Sequence, residues 1–235
     1  MRSNFGRSSS AWVGLRPSPG VVGVLVALVA TFAAFHLAGT PRWVLEHLAL
    51  IPRRALGPEP WQLFTSAFIH LGFGALISSG IAVWLFGTPV EQRGGRAHLF
   101  KILIGATLAG SLASAALGRV VAPNAVITGA IGAAMGCIAA FGALYGKTPI
   151  LLFGVQQMRA DTTAYIFLGI SAVMYLMDRD WLGLTAAAAG AAWGTWGGEL
   201  RITRIRIAWD KFRLWRLRRR YKVISGGRDN KRYLN

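Results

Sequence analysis

The stretch NAVITGAIGAAMG, residues 124–136, decides the fold of this chain. It lies in a run from residue 120 to 146 without Asp, Glu, Lys or Arg, which is long enough to cross a membrane as a helix. Gly132 and Gly136 are about one helical turn apart, so they form a smooth strip on which another helix can pack closely. The stretch therefore predicts a transmembrane helix in close contact with a partner helix.

Five other stretches of the chain also lack charged side chains. They are residues 17–41, 60–90, 102–118, 162–177 and 180–198, the last with Asp180 at its start. Each is close to the roughly 17 to 25 residues that cross hydrocarbon as a helix. Only 15% of the 235 residues are charged, against roughly 25% in a soluble domain. The sequence predicts an all-α membrane protein, a bundle of six transmembrane helices.

The sixth stretch carries glycines that match those of the fourth. Gly190, Gly194 and Gly198 recur every fourth residue, so they lie on one face of a helix. We therefore expect the fourth and sixth helices to touch. The residues predicted to pack helices together are Gly129, Gly132, Gly136, Gly190, Gly194 and Gly198.

Basic residues orient the predicted bundle. The net charge is +17, and if the N-terminus is inside, six spans place 21 of the 26 Lys and Arg residues on the inner side. Because basic residues concentrate on the cytoplasmic side of a membrane, we expect both termini to be cytoplasmic. The chain then divides into an N-terminal segment (1–19), a membrane domain (20–198) and a basic tail (199–235). The first span exceeds the length of a signal-peptide core, so we expect it to be retained.

The tail begins RITRIRIAWDKFRLWRLRRRYKV, residues 201–223, and mixes basic with aromatic and aliphatic side chains. Such a segment beside a last span is attracted to anionic lipid headgroups, and it can act as a positive-inside stop signal or as a lipid-responsive element. Nucleic acid binding is a weaker interpretation because the segment is tethered to the membrane. We expect membrane lipids, and no nucleic acid, as its partners.

Several motifs carry a family resemblance. They are, in order, PWQLFTSAFIH (60–70), WLFGTPVEQRGG (84–95), TGAIGAAMG (128–136), PILLFGVQQMRA (149–160) and the pair Gly194 and Gly198. Over roughly residues 20–198 the chain resembles the rhomboid intramembrane serine proteases, and the run at 149–160 resembles bacterial members. The resemblance implies a rhomboid fold in a bacterial-type inner membrane, with Glu91 and Gly95 in structural positions.

The same resemblance implies a degenerate catalytic site. The family's Gly-x-Ser-Gly motif falls on residues 126–129, so Thr128 takes the place of the serine. The histidine of the sixth helix falls on Ala191. The histidine and asparagine that bind the oxyanion fall on Ala75 and Ser79, whereas the first histidine of that pattern is kept as His70.

The residues themselves also argue against catalysis. A threonine hydroxyl is a weak nucleophile that needs a positioned base and oxyanion donors. All four histidines precede Thr128, and the sixth span offers neither His nor Lys. His70 could act as a base only if it turned toward Thr128. Inside a helix, Thr128 would instead donate a hydrogen bond to the carbonyl one turn earlier or to a neighbouring helix. The sequence contains no credible metal site or phosphate loop, and we expect no cofactor.

These observations predict a rhomboid-like pseudoprotease that binds transmembrane segments of client proteins without cleaving them. The residues expected to contact a client are His70, Thr128, Ser78 and Ser79, with Thr65 and Ser66 nearby. Two alternatives remain open at this point. One is an active intramembrane endopeptidase that uses Thr128, and the other is a structural or lipid-associated membrane protein that acts through its basic tail.

Overall fold

A computed structural model describes residues 11–12, 16–39, 41–152 and 156–198, so the predicted basic tail lies outside the described residues. The helices are α1 (Pro19–Leu37), α2 (Arg42–Leu48), α3 (Pro52–Ala55), α4 (Gln62–Thr65), α5 (Phe73–Gly94), α6 (Arg96–Val121), α7 (Ile131–Tyr145), α8 (Ala160–Met177) and α9 (Trp181–Gly198). The strands are β1 (Ala11–Trp12), β2 (Pro149–Leu152) and β3 (Gln156–Arg159).

The predicted helical membrane protein is confirmed. Among the described residues, α1, α5, α6 and α8 are each long and apolar enough to cross a membrane. The other two long helices are α7 with 15 residues and α9 with 18, which is compatible with six spans. The sequence did not predict the small sheet, in which β2 pairs in parallel with β1 and antiparallel with β3.

Helix α7 lies at the centre of the bundle, with twelve of its 15 residues buried. It contacts α6, α8 and α9. Fifteen residues rise only about 22 Å as a helix, less than the roughly 30 Å of a bilayer's hydrocarbon core. The chain segment that leads into α7 is therefore expected to lie below the membrane surface.

The second predicted span, residues 60–90, is shorter than expected. The transmembrane helix α5 begins only at Phe73, and the residues before it form α4, a 3₁₀ turn at Ser66–Phe68 and a non-helical link. The physical reason is Gln62, which is fully buried. Its side chain accepts a hydrogen bond from the Ile51 amide at 2.9 Å and donates one to the Glu46 carbonyl at 2.9 Å. These hydrogen bonds hold the start of the uncharged stretch against the chain segment that joins α1 to α4.

Glu91, near the end of α5, holds the N-terminus of α1 by hydrogen bonds. The buried Glu91 carboxylate accepts hydrogen bonds from the Ser18 hydroxyl and from the amides of Gly20 (3.0 Å) and Val21 (3.1 Å). Arg96 lies 3.4 Å from the same carboxylate. The first amides of a helix have no partner within the helix, and its N-terminus favours negative charge. Glu91 therefore caps α1 from a neighbouring helix, and this is the structural role of that position.

Candidate functional site

Thr128 is not helical, contrary to its predicted place inside the fourth span. It lies in the segment before α7, between two backbone anchors. Ile127 pairs with Leu50 through two hydrogen bonds of 2.9 Å, and the Gly129 amide donates to the Ser66 carbonyl at 3.0 Å. Because Thr128 precedes the helix, its hydroxyl makes no bond to a carbonyl one turn earlier. It has no hydrogen-bond partner among the residues that the structure describes.

Gly129 allows the chain to turn from this extended segment into α7. Its φ is +99°, in a region that side-chain-bearing residues rarely adopt. A Cβ at Gly129 would face the ring of His70 at 3.8 Å, and it would not meet α9. The predicted packing role of Gly129 is therefore better described as a turn that places Thr128.

His70 lies in the link before α5 and is only 1% exposed. Within the described parts of the chain neither ring nitrogen has a hydrogen-bond partner of normal geometry. Burial lowers the pKa of the imidazole, and the nearby Phe68 backbone only partly opposes this shift. His70 is thus a buried ring behind Gly129. It forms no hydrogen bond with Thr128.

A groove of about 490 Å³ lies between α5 and α8, with the start of α7 as its floor. At one end it is closed by aromatic contacts: Phe86 of α5 lies 5.1 Å from Phe167 of α8 and 5.3 Å from Phe141 of α7, between ring centroids. Toward Asp178 the groove is open, because Met174 and Asp178 of its lining are exposed, and Thr128 lies on the groove floor. We call this space the α5–α8 groove.

The polar groups of the α5–α8 groove divide into two kinds. The hydroxyls of Ser78 and Ser171 donate to carbonyls of their own helices, Ala75 at 3.1 Å and Phe167 at 2.9 Å. Four other lining groups have no hydrogen-bond partner among the described residues, namely the side chains of Thr128, Ser79, Tyr175 and Asp178. Apolar side chains make up the rest of the lining. The groove thus offers free hydrogen-bonding groups within an apolar wall.

The structure brings together some of the predicted site residues and not others. Thr128, Ser78, Ser79 and Ala75 all line the α5–α8 groove, whereas His70 does not. Sequence reasoning missed the contribution of α8, since Ser171 and Tyr175 are ordinary residues in an apolar run and Asp178 lies just beyond it. Their only possible signal was the position of Asp178 directly after the uncharged stretch.

Glycines hold α7 against α9. A Cβ at Gly190 would lie 2.7 Å from the Cα of Gly132, and a Cβ at Gly194 would lie 2.8 Å from the Cα of Gly136. Both pairs advance by four residues along their helices, so α7 and α9 run in parallel. Gly198 is the last residue of α9, and its packing role stays a prediction. The backbones approach so closely because neither member of each pair has a side chain.

This register bears on which residue of α9 takes the position of the family's histidine. Carried one turn back from Gly132 and Gly190, it brings Thr128 and Gly129 level with Ala186 and Ala187, about one turn before the predicted Ala191. Ala187 is buried and Ala191 is partly exposed. Ala187 is also followed by Gly190 and Gly194, at the spacing of the sixth-helix pattern His-x-x-Gly-x-x-x-Gly of the family that the chain resembles. Two alanines are therefore candidates for the histidine position.

Cysteine pairs can distinguish these candidates. In a Cys137→Ala background, we expect Thr128→Cys to be linked to Ala187→Cys by a short bis-methanethiosulfonate reagent, because the two positions are at the same depth. Thr128→Cys with Ala191→Cys should be linked much less, which mass spectrometry of the linked peptides would measure. Preferential linking of the Ala191→Cys pair would support the original assignment.

The described lining of the α5–α8 groove contains few ionisable side chains. Among the described residues no histidine, lysine or arginine lines the α5–α8 groove, and its single carboxylate is Asp178 at the open end. His36, His47 and His98 are elsewhere: His36 is exposed on α1, His47 pairs with Glu59 at 3.0 Å, and His98 is buried in α6. The described residues contain no group of His, Cys, Asp and Glu suited to a metal ion. The groove can donate and accept hydrogen bonds, but it holds no base beside Thr128.

Comparison with known proteins gives a consistent result. A model of the Rhomboid domain family matches residues 57–201. The chain is 35% identical over 82 residues to "Rhomboid protease GluP" of Bacillus subtilis, which covers 35% of this chain and 15% of that protein. It is 29% identical over 130 residues to "Rhomboid protein 1, mitochondrial" of Saccharomyces cerevisiae, which covers 53% of this chain and 36% of that protein. The chain thus matches well under half the length of either relative.

Proposed function

Because the chain belongs to the rhomboid family, we propose that it is an integral membrane pseudoprotease, which binds transmembrane segments of other proteins without cleaving them. The α5–α8 groove is the proposed binding site. Both of its walls are helices long enough to span a membrane, so a client helix in the lipid would meet the groove from the side.

The observation that carries this proposal is the set of unpartnered polar groups in the groove. The hydroxyls of Thr128, Ser79 and Tyr175 lack partners in the described part of the chain. In an apolar environment an unsatisfied polar group is costly, so a client that supplies a partner gains free energy on binding. Hydrogen bonds between transmembrane helices contribute about 0.6 kcal/mol each on average. Several such bonds would favour a client helix that is itself locally polar.

The absence of a base supports binding over cleavage. Thr128 has the position of a nucleophile, but alanine occupies both candidate histidine positions, Ala187 and Ala191. The groove likewise offers Ala75 and Ser79 where the family places its oxyanion donors. Loss of a single oxyanion donor already costs about 100- to 1,000-fold in rate, and loss of the base costs more.

A cleavage assay tests the absence of catalysis. The purified chain in lipid vesicles is expected to release no product from a labelled transmembrane reporter beyond that seen with Thr128→Ala, because the hydroxyl is not activated. A catalytically competent rhomboid assayed beside it would show that the reporter can be cleaved. Cleavage by the native chain that disappears in Thr128→Ala would establish the active-protease alternative.

Site-specific crosslinking tests the proposed binding. A photoreactive benzoylphenylalanine at Ser78, on the α5 wall of the groove, is expected to capture membrane proteins in cells. The same residue placed at Val26, which is 61% exposed on α1, provides a lipid-facing control. Equal yields and identical partners at both positions would contradict a binding role for the groove.

The topology is part of the same proposal. We propose that both termini lie on the cytoplasmic side of a bacterial-type inner membrane, as the distribution of Lys and Arg favours. In this orientation the Thr128 end of α7 faces outward and the β2–β3 hairpin faces inward. The basic tail would then lie beside anionic headgroups, where each basic residue contributes about 1 kcal/mol to lipid attraction.

A further inference from the structure

The open end of the α5–α8 groove carries a single acidic residue, Asp178. It caps the C-terminus of α8, where its amide donates to the Met174 carbonyl at 3.0 Å. Its side chain is exposed and lines the groove beside Tyr175 and Met174. A ligand that filled the groove would pass this carboxylate.

Asp178 has no counterion within the described parts of the chain. The next residue, Arg179, is exposed and forms no ion pair there. The nearby Asp180 differs, because its carboxylate accepts a hydrogen bond from the Gly183 amide at 2.8 Å and so serves the start of α9. Asp178 is therefore the carboxylate at this end that the fold leaves unused.

The position of Asp178 is also unfavourable for its own helix. The C-terminus of an α-helix carries a partial negative charge, which favours cations and disfavours carboxylates. The negative charge of Asp178 therefore does not stabilise the end of α8, and no described cation forms an ion pair with it. Its place on the groove lining suggests that its counterion comes from the ligand.

We infer that the α5–α8 groove prefers transmembrane segments with a Lys or Arg near the end that lies beside Asp178. This inference rests on the proposed function and adds a selection rule to it. A basic side chain at a helix end can extend along the apolar wall and bring its charge to the membrane boundary. There it would pair with Asp178, while the polar groups of Thr128, Ser79 and Tyr175 contact the body of the helix.

Synthetic helices provide the test. The probes are Leu/Ala transmembrane peptides that share two central Ser residues and differ only in one boundary residue, Lys, Gln or Glu, in phosphatidylcholine vesicles with the full chain. Benzoylphenylalanine at Ser78 reports binding by crosslink yield. The native carboxylate is expected to favour the Lys peptide over the Gln peptide by about two- to fivefold, as for an exposed ion pair.

Charge variants identify the residue responsible. Asp178→Asn is expected to abolish the preference for the Lys peptide, and Asp178→Lys should favour the Glu peptide instead. Asp180→Asn removes the same charge two residues away and should retain the preference; gel filtration and thermal unfolding would verify the fold of each variant. Equal crosslinking of all peptides to the native chain would overturn the selection rule and leave the binding function standing. Failure of every peptide to crosslink would overturn both.

Discussion

Replacement of Gly194 with leucine is expected to prevent α9 from packing against α7 and to destabilise the membrane domain by about 3 kcal/mol or more. Even a Cβ at this position would lie 2.8 Å from the backbone carbon atoms of Gly136 and nearer still to its carbonyl oxygen. The contact is made by backbone, which cannot move aside as a flexible side chain can. The whole helix must therefore shift, and the adjoining Gly132–Gly190 contact would open with it.

Thermal or denaturant unfolding in detergent micelles would measure this effect. Gly169→Leu is a matched control, because Gly169 lies within α8 and nothing approaches within 4 Å of a Cβ placed there. We expect its midpoint to stay close to that of the native chain. If both variants unfolded at the native temperature, the close α7–α9 contact would be wrong.

Substitution of Glu91 by glutamine is expected to release α1 from the bundle at a cost of about 2 to 3 kcal/mol, because the buried acceptor loses hydrogen bonds from the start of α1. The buried carboxylate accepts bonds from Ser18, Gly20 and Val21 and also faces Arg96. A glutamine amide has a single acceptor oxygen, and its NH₂ group would point at one or more of these donors. The cap of α1 would therefore be lost while Arg96 kept its charge beside it.

Hydrogen exchange followed by mass spectrometry would locate the effect. The amides of the first turns of α1 should exchange faster in Glu91→Gln, while those of α7 should change little. Glu46→Gln makes the same chemical change on α2, at an exposed side chain, and should leave α1 protected. Uniform protection of α1 in Glu91→Gln would show that its N-terminus is held by other contacts.

The candidate site could be predicted only in part from the sequence. Ala75, Ser79 and Thr128, which the family pattern assigns to one site, all line the α5–α8 groove, and their functional role stays a prediction. The non-helical conformation of Thr128 could not be predicted, because it depends on the pairing of Ile127 with Leu50, and these two residues are far apart in the sequence. Asp178 and Tyr175 were missed because a single uncharged run does not reveal which of its faces borders a groove.

The sequence by itself determined that this chain is a helical membrane protein, and where most of its long helices lie. Lack of charge over about twenty residues is a local property, and a bilayer selects for it directly. Glycines at every fourth residue likewise marked the faces of α7 and α9 that meet. Only the tertiary structure decided which groups meet across helices, because these contacts depend on depth and register. They include the hydrogen bonds from the start of α1 to Glu91 of α5, and the position of Thr128 and Gly129 level with Ala186 and Ala187. They also include the place of Asp178, which has no described ion pair, at the open end of the α5–α8 groove.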